Sequence, residues 1–199
     1  MHATFNRNVT IVASLLLIAA ITQAIYTALY IAEMDVPRQL LWGSEGVLFT
    51  ILAAYAGAAM VRASEWQVGW SAITAAAVLN VVQVGIGLTL FGPFFEAAEA
   101  VPELAPVAGA IVDYSFMVYN AAKVLLALAA VVFGVGHLSA ESKALGGVTA
   151  LVGAVALVSN ALSLALGRDF SGELPIAGGS GVLATVLLAL CLFTLRKSD

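Results

Sequence analysis

Six runs of mostly apolar residues, each twenty residues or longer, divide this chain of 199 residues: Val9–Ala32, Gln39–Val61, Gly69–Phe91, Ile111–Val135, Leu145–Gly167 and Ile176–Leu195. A bilayer core is about 30 Å thick and takes about 20 helical residues to cross, so every run is long enough to span one. The runs are continuous rather than alternating, and rich in Ala and Leu, which disfavours β-strands. Inside lipid the backbone must satisfy its own hydrogen bonds, and a helix does so within one segment. The expectation is an all-α, polytopic integral membrane protein, a single domain over residues 1–199 built as a bundle of about six transmembrane helices.

Composition narrows the function classes. Hydrophobic residues make up 62% of the chain and charged residues only 10%, too few to coat a soluble globule. That excludes a soluble enzyme fold and a disordered chain. Eight Lys and Arg against twelve Asp and Glu supply no basic face, so no nucleic-acid partner is expected. The single cysteine, Cys191, excludes an intramolecular disulfide, and two histidines with that thiol make no Cys/His zinc site. Neither a metal nor a cofactor is expected. The partners expected are the bilayer and a small polar ligand or proton; protein partners are unspecified.

The breaks between runs carry helix punctuation. Pro37 stands where the first turn of the second helix would begin, and a missing N–H costs nothing there. Gly92-Pro93 is expected to end the third helix and Gly167-Arg168-Asp169 the fifth. The fourth crossing is placed at Ile111–Val135, with the preceding residues at the surface. Between them, Glu96, Glu99 and Glu103 fall at i, i+3 and i+7, with Phe95, Ala98 and Val101 on the other side. The segment Phe94–Leu104 reads either as a short helix lying in the interface or as an irregular acidic loop.

Lys and Arg set the orientation. Arg7, Arg62, Lys143, Arg196 and Lys197 lie on one side; Arg38 and Arg168 lie on the other, with Glu33, Asp35, Glu96, Glu99, Glu103, Asp169 and Glu173. Five against two puts both termini in the cytoplasm of a bacterial-type inner membrane. Trp42 falls near the acidic side and Trp66 and Trp70 near the basic side, as an aromatic belt would place them. A competing account takes Arg7, Ile11–Ile21 and Thr22-Gln23-Ala24 as a signal peptide cleaved before Ile25. The apolar run continues through Ala32 with no polar start, which favours a retained first span.

Ionisable residues within a span are costly and normally face the bundle interior. Three qualify: Glu45, Asp113 and Lys123. Gln23, Asn80, Gln83, Asn120, Ser159 and Asn160 accompany them, with Tyr26, Tyr55, Tyr114 and Tyr119. Counted at ~1.5 Å per residue from the acidic side, Gln23, Glu45, Asn80, Gln83, Asn120, Lys123 and Asn160 fall roughly 9–18 Å deep. Five helices thus place their strongest polar groups in one layer, with Asp113 near its mouth. Lys123 tilts toward the acidic side and reaches the level of Glu45. On the third helix Asn80, Gln83 and Gly87 form a stripe of two amides and a gap for a neighbour.

The layer has two readings. It is a site for a proton or a small polar ligand, with Glu45 titrating and Lys123 as its counter-charge. Alternatively, it is a set of interhelical hydrogen-bond clamps in a non-catalytic accessory or structural protein. An enzyme is not expected, because no zinc, nucleophile-elbow or phosphate-loop motif occurs. His137, at a helix end, is expected at the interface rather than as a base, and Ala177–Gly181 as a place for bending or close packing.

Overall fold

The computed structural model describes residues 2–32, 34, 38–138, 143–167 and 176–195. Pro37, the charges Glu33, Asp35, Arg168, Asp169 and Glu173, and the tail cations Arg196 and Lys197 lie outside them. The elements are α1 (His2–Ile31), α2 (Arg38–Arg62), α3 (Gln67–Ala100), α4 (Ala105–Leu138), α5 (Lys143–Leu166) and α6 (Ile176–Thr194). All six are long and apolar enough to cross a membrane. Among the described residues there is no strand.

The helices close into a ring. α1 packs on α2 and α6, α2 on α3, and α3 on α4, while α4 returns to α6; α5 lies against α4 and α6. Small residues let backbones approach where side chains would hold them apart. A Cβ on Gly134 of α4 would stand 2.6 Å from the Ala150 amide nitrogen of α5. One on Gly146 of α5 would stand 2.7 Å from the Gly134 carbonyl. The α4–α5 crossing is therefore backbone against backbone.

Two aromatic groups mark the ends of the ring. At the end where α1 begins and α6 finishes, Trp70 meets Phe5 at 6.2 Å and Phe133 at 5.2 Å, both edge-to-face, and Trp66 lies 5.8 Å from Phe133. At the other end Trp42 lies 5.5 Å from Tyr26 and 5.7 Å from Phe91. Trp70 and Phe91 are separated along α3 by roughly 32 Å, the thickness of a bilayer core.

Two expectations need correction. Gly92-Pro93 does not end the third helix; α3 runs through Pro93 to Ala100. Proline removes one hydrogen bond and crowds the preceding turn, but the residues after it, Phe-Phe-Glu-Ala-Ala-Glu-Ala, include strong helix formers, and α3 packs along α4. Phe94–Leu104 is accordingly neither a separate interfacial helix nor a loop. Seven of its residues continue α3, and Pro102–Leu104 form a single 3₁₀ turn before α4. The fifth helix does end at Gly167, whose φ of 98° and N–H bond to the Ser163 carbonyl make a left-handed cap.

Candidate functional site

The polar residues of α1, α2 and α4 meet inside the ring. Lys123, near the middle of α4, is 1% exposed, and its ammonium donates to the side-chain carbonyl of Gln23 on α1. The Tyr119 ring, one helical turn earlier, lies under the ammonium at 5.1 Å from ring centroid to Nζ. The stem crosses Gly181 of α6, where an added Cβ would sit 3.2 Å from Lys123 Cδ and 3.5 Å from the Asn160 amide nitrogen. Gly181 is therefore the space that lets a lysine lie across α6.

Glu45, on the second turn of α2, is 7% exposed. Its Oε1 accepts from the Thr22 hydroxyl at 2.7 Å, a hydroxyl also 3.0 Å from the Ala19 carbonyl. Gln23 and Thr22 are consecutive, so one turn of α1 holds the ammonium with an amide and the carboxylate with a hydroxyl. Among the described residues no carboxylate makes a direct ion pair with Lys123. Glu45 and Lys123 nevertheless remain within electrostatic reach of one another.

Asn160 on α5 is fully buried, and its Nδ2 donates to the Ala156 carbonyl at 2.8 Å and the Ala177 carbonyl of α6 at 3.0 Å. Asn80 on α3 donates to the Ala76 carbonyl at 2.9 Å. The Oδ1 atoms of both are buried without a hydrogen-bond partner. Such an orphaned acceptor is costly and marks a place where a donor is wanted.

The structure brings together Gln23, Glu45, Lys123 and, across Gly181, Asn160. Asn120 and Asn80 are buried in the same ring. Gln83 is drawn to Ser115 of α4 at 3.4 Å and is half-buried. Asp113 is exposed. The gap at Gly87 is filled by the Trp42 ring, which a Cβ there would overlap. Thr22 and Gly181 escaped the sequence reading as site residues; each is ordinary in an apolar helix until its neighbour is known. The signal for Tyr119 was its spacing of four residues from Lys123.

His137 needs correction too. It is buried, with Nδ1 donating to the Phe133 carbonyl at 2.9 Å and Nε2 3.0 Å from the Thr194 hydroxyl of α6. A stacked Trp66 ring covers it at 6.5 Å. Among the described residues no three His, Cys, Asp or Glu side chains converge to hold a metal ion. Comparison with protein-family models, with characterised proteins and with solved structures finds no match.

Proposed function

We propose that this chain is a small multi-pass membrane protein that carries or binds a proton or a small polar ligand at the Glu45–Lys123 layer. In this reading it sits in a bacterial-type inner membrane with both termini cytoplasmic, and access is from the acidic face. Glu45 takes up the proton or the ligand's donor group, Lys123 supplies the counter-charge, and the amides of Gln23, Asn80, Asn120 and Asn160 orient what enters. One observation carries it: two buried opposite charges are each held by a neutral neighbour instead of by one another. A purely structural pair gains most from direct contact, because desolvating both charges is repaid only by close geometry and full hydrogen bonding. Separated charges and spare acceptors leave room for a third party.

A second reading has its own support. The Lys123–Gln23 bond ties α4 to α1, and the Thr22–Glu45 bond ties α1 to α2. As clamps they would hold together the scaffold of an accessory protein.

Proteoliposomes loaded with a pH-reporting dye separate the two. The carrier reading expects wild-type protein to dissipate an imposed pH gradient faster than empty vesicles. It expects Glu45→Gln with Lys123→Met to fold and to lose that flux. The clamp reading expects no flux from wild type, and a double apolar replacement that is near neutral for stability while each single change is harmful. Wild-type vesicles that neither bind nor move anything would sink the carrier reading.

A further inference from the structure

α3 and α4 are each 34 residues long, whereas α6 has 19 and α5 has 24. Measured from Phe91, in the aromatic group that closes the acidic end, α3 continues by nine residues to Ala100, roughly 13 Å. The first turns of α4 cover a similar height. The two helices and their 3₁₀ turn therefore stand out of the bundle as a stub, beyond the level at which an aromatic belt meets water.

The surface of the stub mixes acidic and apolar residues. On the last turns of α3 the exposed positions are 92, 93, 95, 96, 99 and 100, one helical face, and every residue from Val101 to Val107 is exposed. Phe95 is 43% exposed, Leu104 40% and Val107 45%. Glu96 and Glu99 lie beside Phe95 on that face, and Glu103 adjoins Leu104. Between residues 63 and 122 the sequence has no Lys, Arg or His, so the hairpin carries no cation of its own.

We infer that this acidic, apolar-studded stub is a docking surface for a basic amphipathic helix of another protein on the same side of the membrane. The apolar side chains want cover, and charge decides what provides it. Against a second copy, a self-complementary contact would bring Glu96, Glu99 and Glu103 toward their own counterparts, and like charges across an interface are costly. An anionic lipid surface is repelled by the same three carboxylates, with no Lys or Arg in the hairpin to offset them. A helix with an apolar stripe flanked by Lys or Arg satisfies both demands at once. The surface is independent of the interior layer, and either assignment stands without the other.

The test uses the full chain in phosphatidylcholine nanodiscs, with empty discs as background. The probe is a short Leu/Lys amphipathic helical peptide; a Leu/Glu helix and a Ser/Lys peptide are the comparisons. The expected result is saturable binding of the Leu/Lys helix only, weakened on the order of tenfold or more by Glu96→Gln with Glu99→Gln and Glu103→Gln. A similar loss is expected from Phe95→Ser with Leu104→Ser; Phe95 also meets Phe91 edge-to-face at 6.0 Å, so an unchanged denaturation midpoint for this variant shows that the loss is not one of folding. Binding no better than to empty discs, or unchanged in both variants, overturns the inference. So does equal binding of the Leu/Glu helix. A bimane probe on Phe95→Cys should be quenched by aqueous iodide; quenching by a lipid-borne spin label instead, or crosslinking of two copies through that position, also overturns it.

Discussion

The two halves of the ring interior are built on opposite principles. Toward the start of α1, Trp70 and Phe133 are fully buried; Trp70 meets Phe5 and Phe133 edge-to-face and Trp66 tilts against Phe133, so that half closes by shape. Toward the acidic end, the interior holds an ammonium, a carboxylate and amides, and two of the amide oxygens have no partner. Both halves are buried; the first fills its space with rings and leaves one orphaned donor, the Trp70 indole N–H, whereas the second leaves two orphaned amide acceptors. In a membrane, where lipid is as apolar as leucine, shape and polar bonding are the two means of holding helices together. Here rings dominate one half, with the His137–Thr194 bond tying α4 to α6 beside them, and side-chain polar groups dominate the other. Aromatic rings plug one end, and the polar layer lies between that plug and the Trp42–Phe91 pair at the other.

Substitutions can break this contrast. The largest loss should come from Trp70→Ala, which empties the centre of the aromatic half: about 3–5 kcal/mol, read as an earlier denaturation midpoint in detergent by far-UV circular dichroism. Flux or binding by whatever protein survives should change little; a Trp70→Ala protein as stable as wild type would contradict the plug. Next is Gly134→Val, which forces atoms against the α5 backbone and should cost about 2–3 kcal/mol in the same assay.

Thr22→Val sharpens the comparison from the polar side. It keeps the shape and strips the hydroxyl from the Glu45 carboxylate, a bond to a charged group worth about 1.5–3 kcal/mol. Stability should fall toward the low end of that range, while proton flux in vesicles should fall by a larger factor than for Trp70→Ala. If the ordering of the two variants is reversed, the site is not where the carboxylate is. His137→Ala removes the link from α4 to Thr194 and should cost about 1 kcal/mol with flux preserved. Smallest of all is Gly181→Ala: its methyl meets the flexible Lys123 stem at 3.2 Å, so less than about 1 kcal/mol should be lost. Any effect should appear as altered flux, because the ammonium is displaced from Gln23.

Much of the bundle was legible without coordinates, for a simple reason. A span announces itself through a run of apolar residues, and lipid enforces helix wherever such a run occurs. The inward turn of Glu45 and Lys123 follows from the same cost, since a charge facing acyl chains is the more expensive option. Less legible was the continuation of α3 past Pro93. A proline weakens a helix by a fixed local amount, but α4 packs beside α3, and that neighbour is not visible in the spacing of residues. Asp113, an acidic residue near a span end, proved exposed because depth alone does not specify the face it occupies.

The amino-acid sequence alone determined that the chain forms six apolar helices, and which few side chains would be expensive to leave in lipid. Those are properties of single segments in a solvent, additive along the chain. Tertiary structure alone decided the partnerships: Lys123 with Gln23 rather than Glu45, Glu45 with Thr22, Trp42 in the gap at Gly87, and Lys123 across Gly181. Partner choice depends on how six cylinders rotate and slide to fit one another. A residue's own chemistry sets the demand for a hydrogen bond; the rotation of the neighbouring helix sets who meets it.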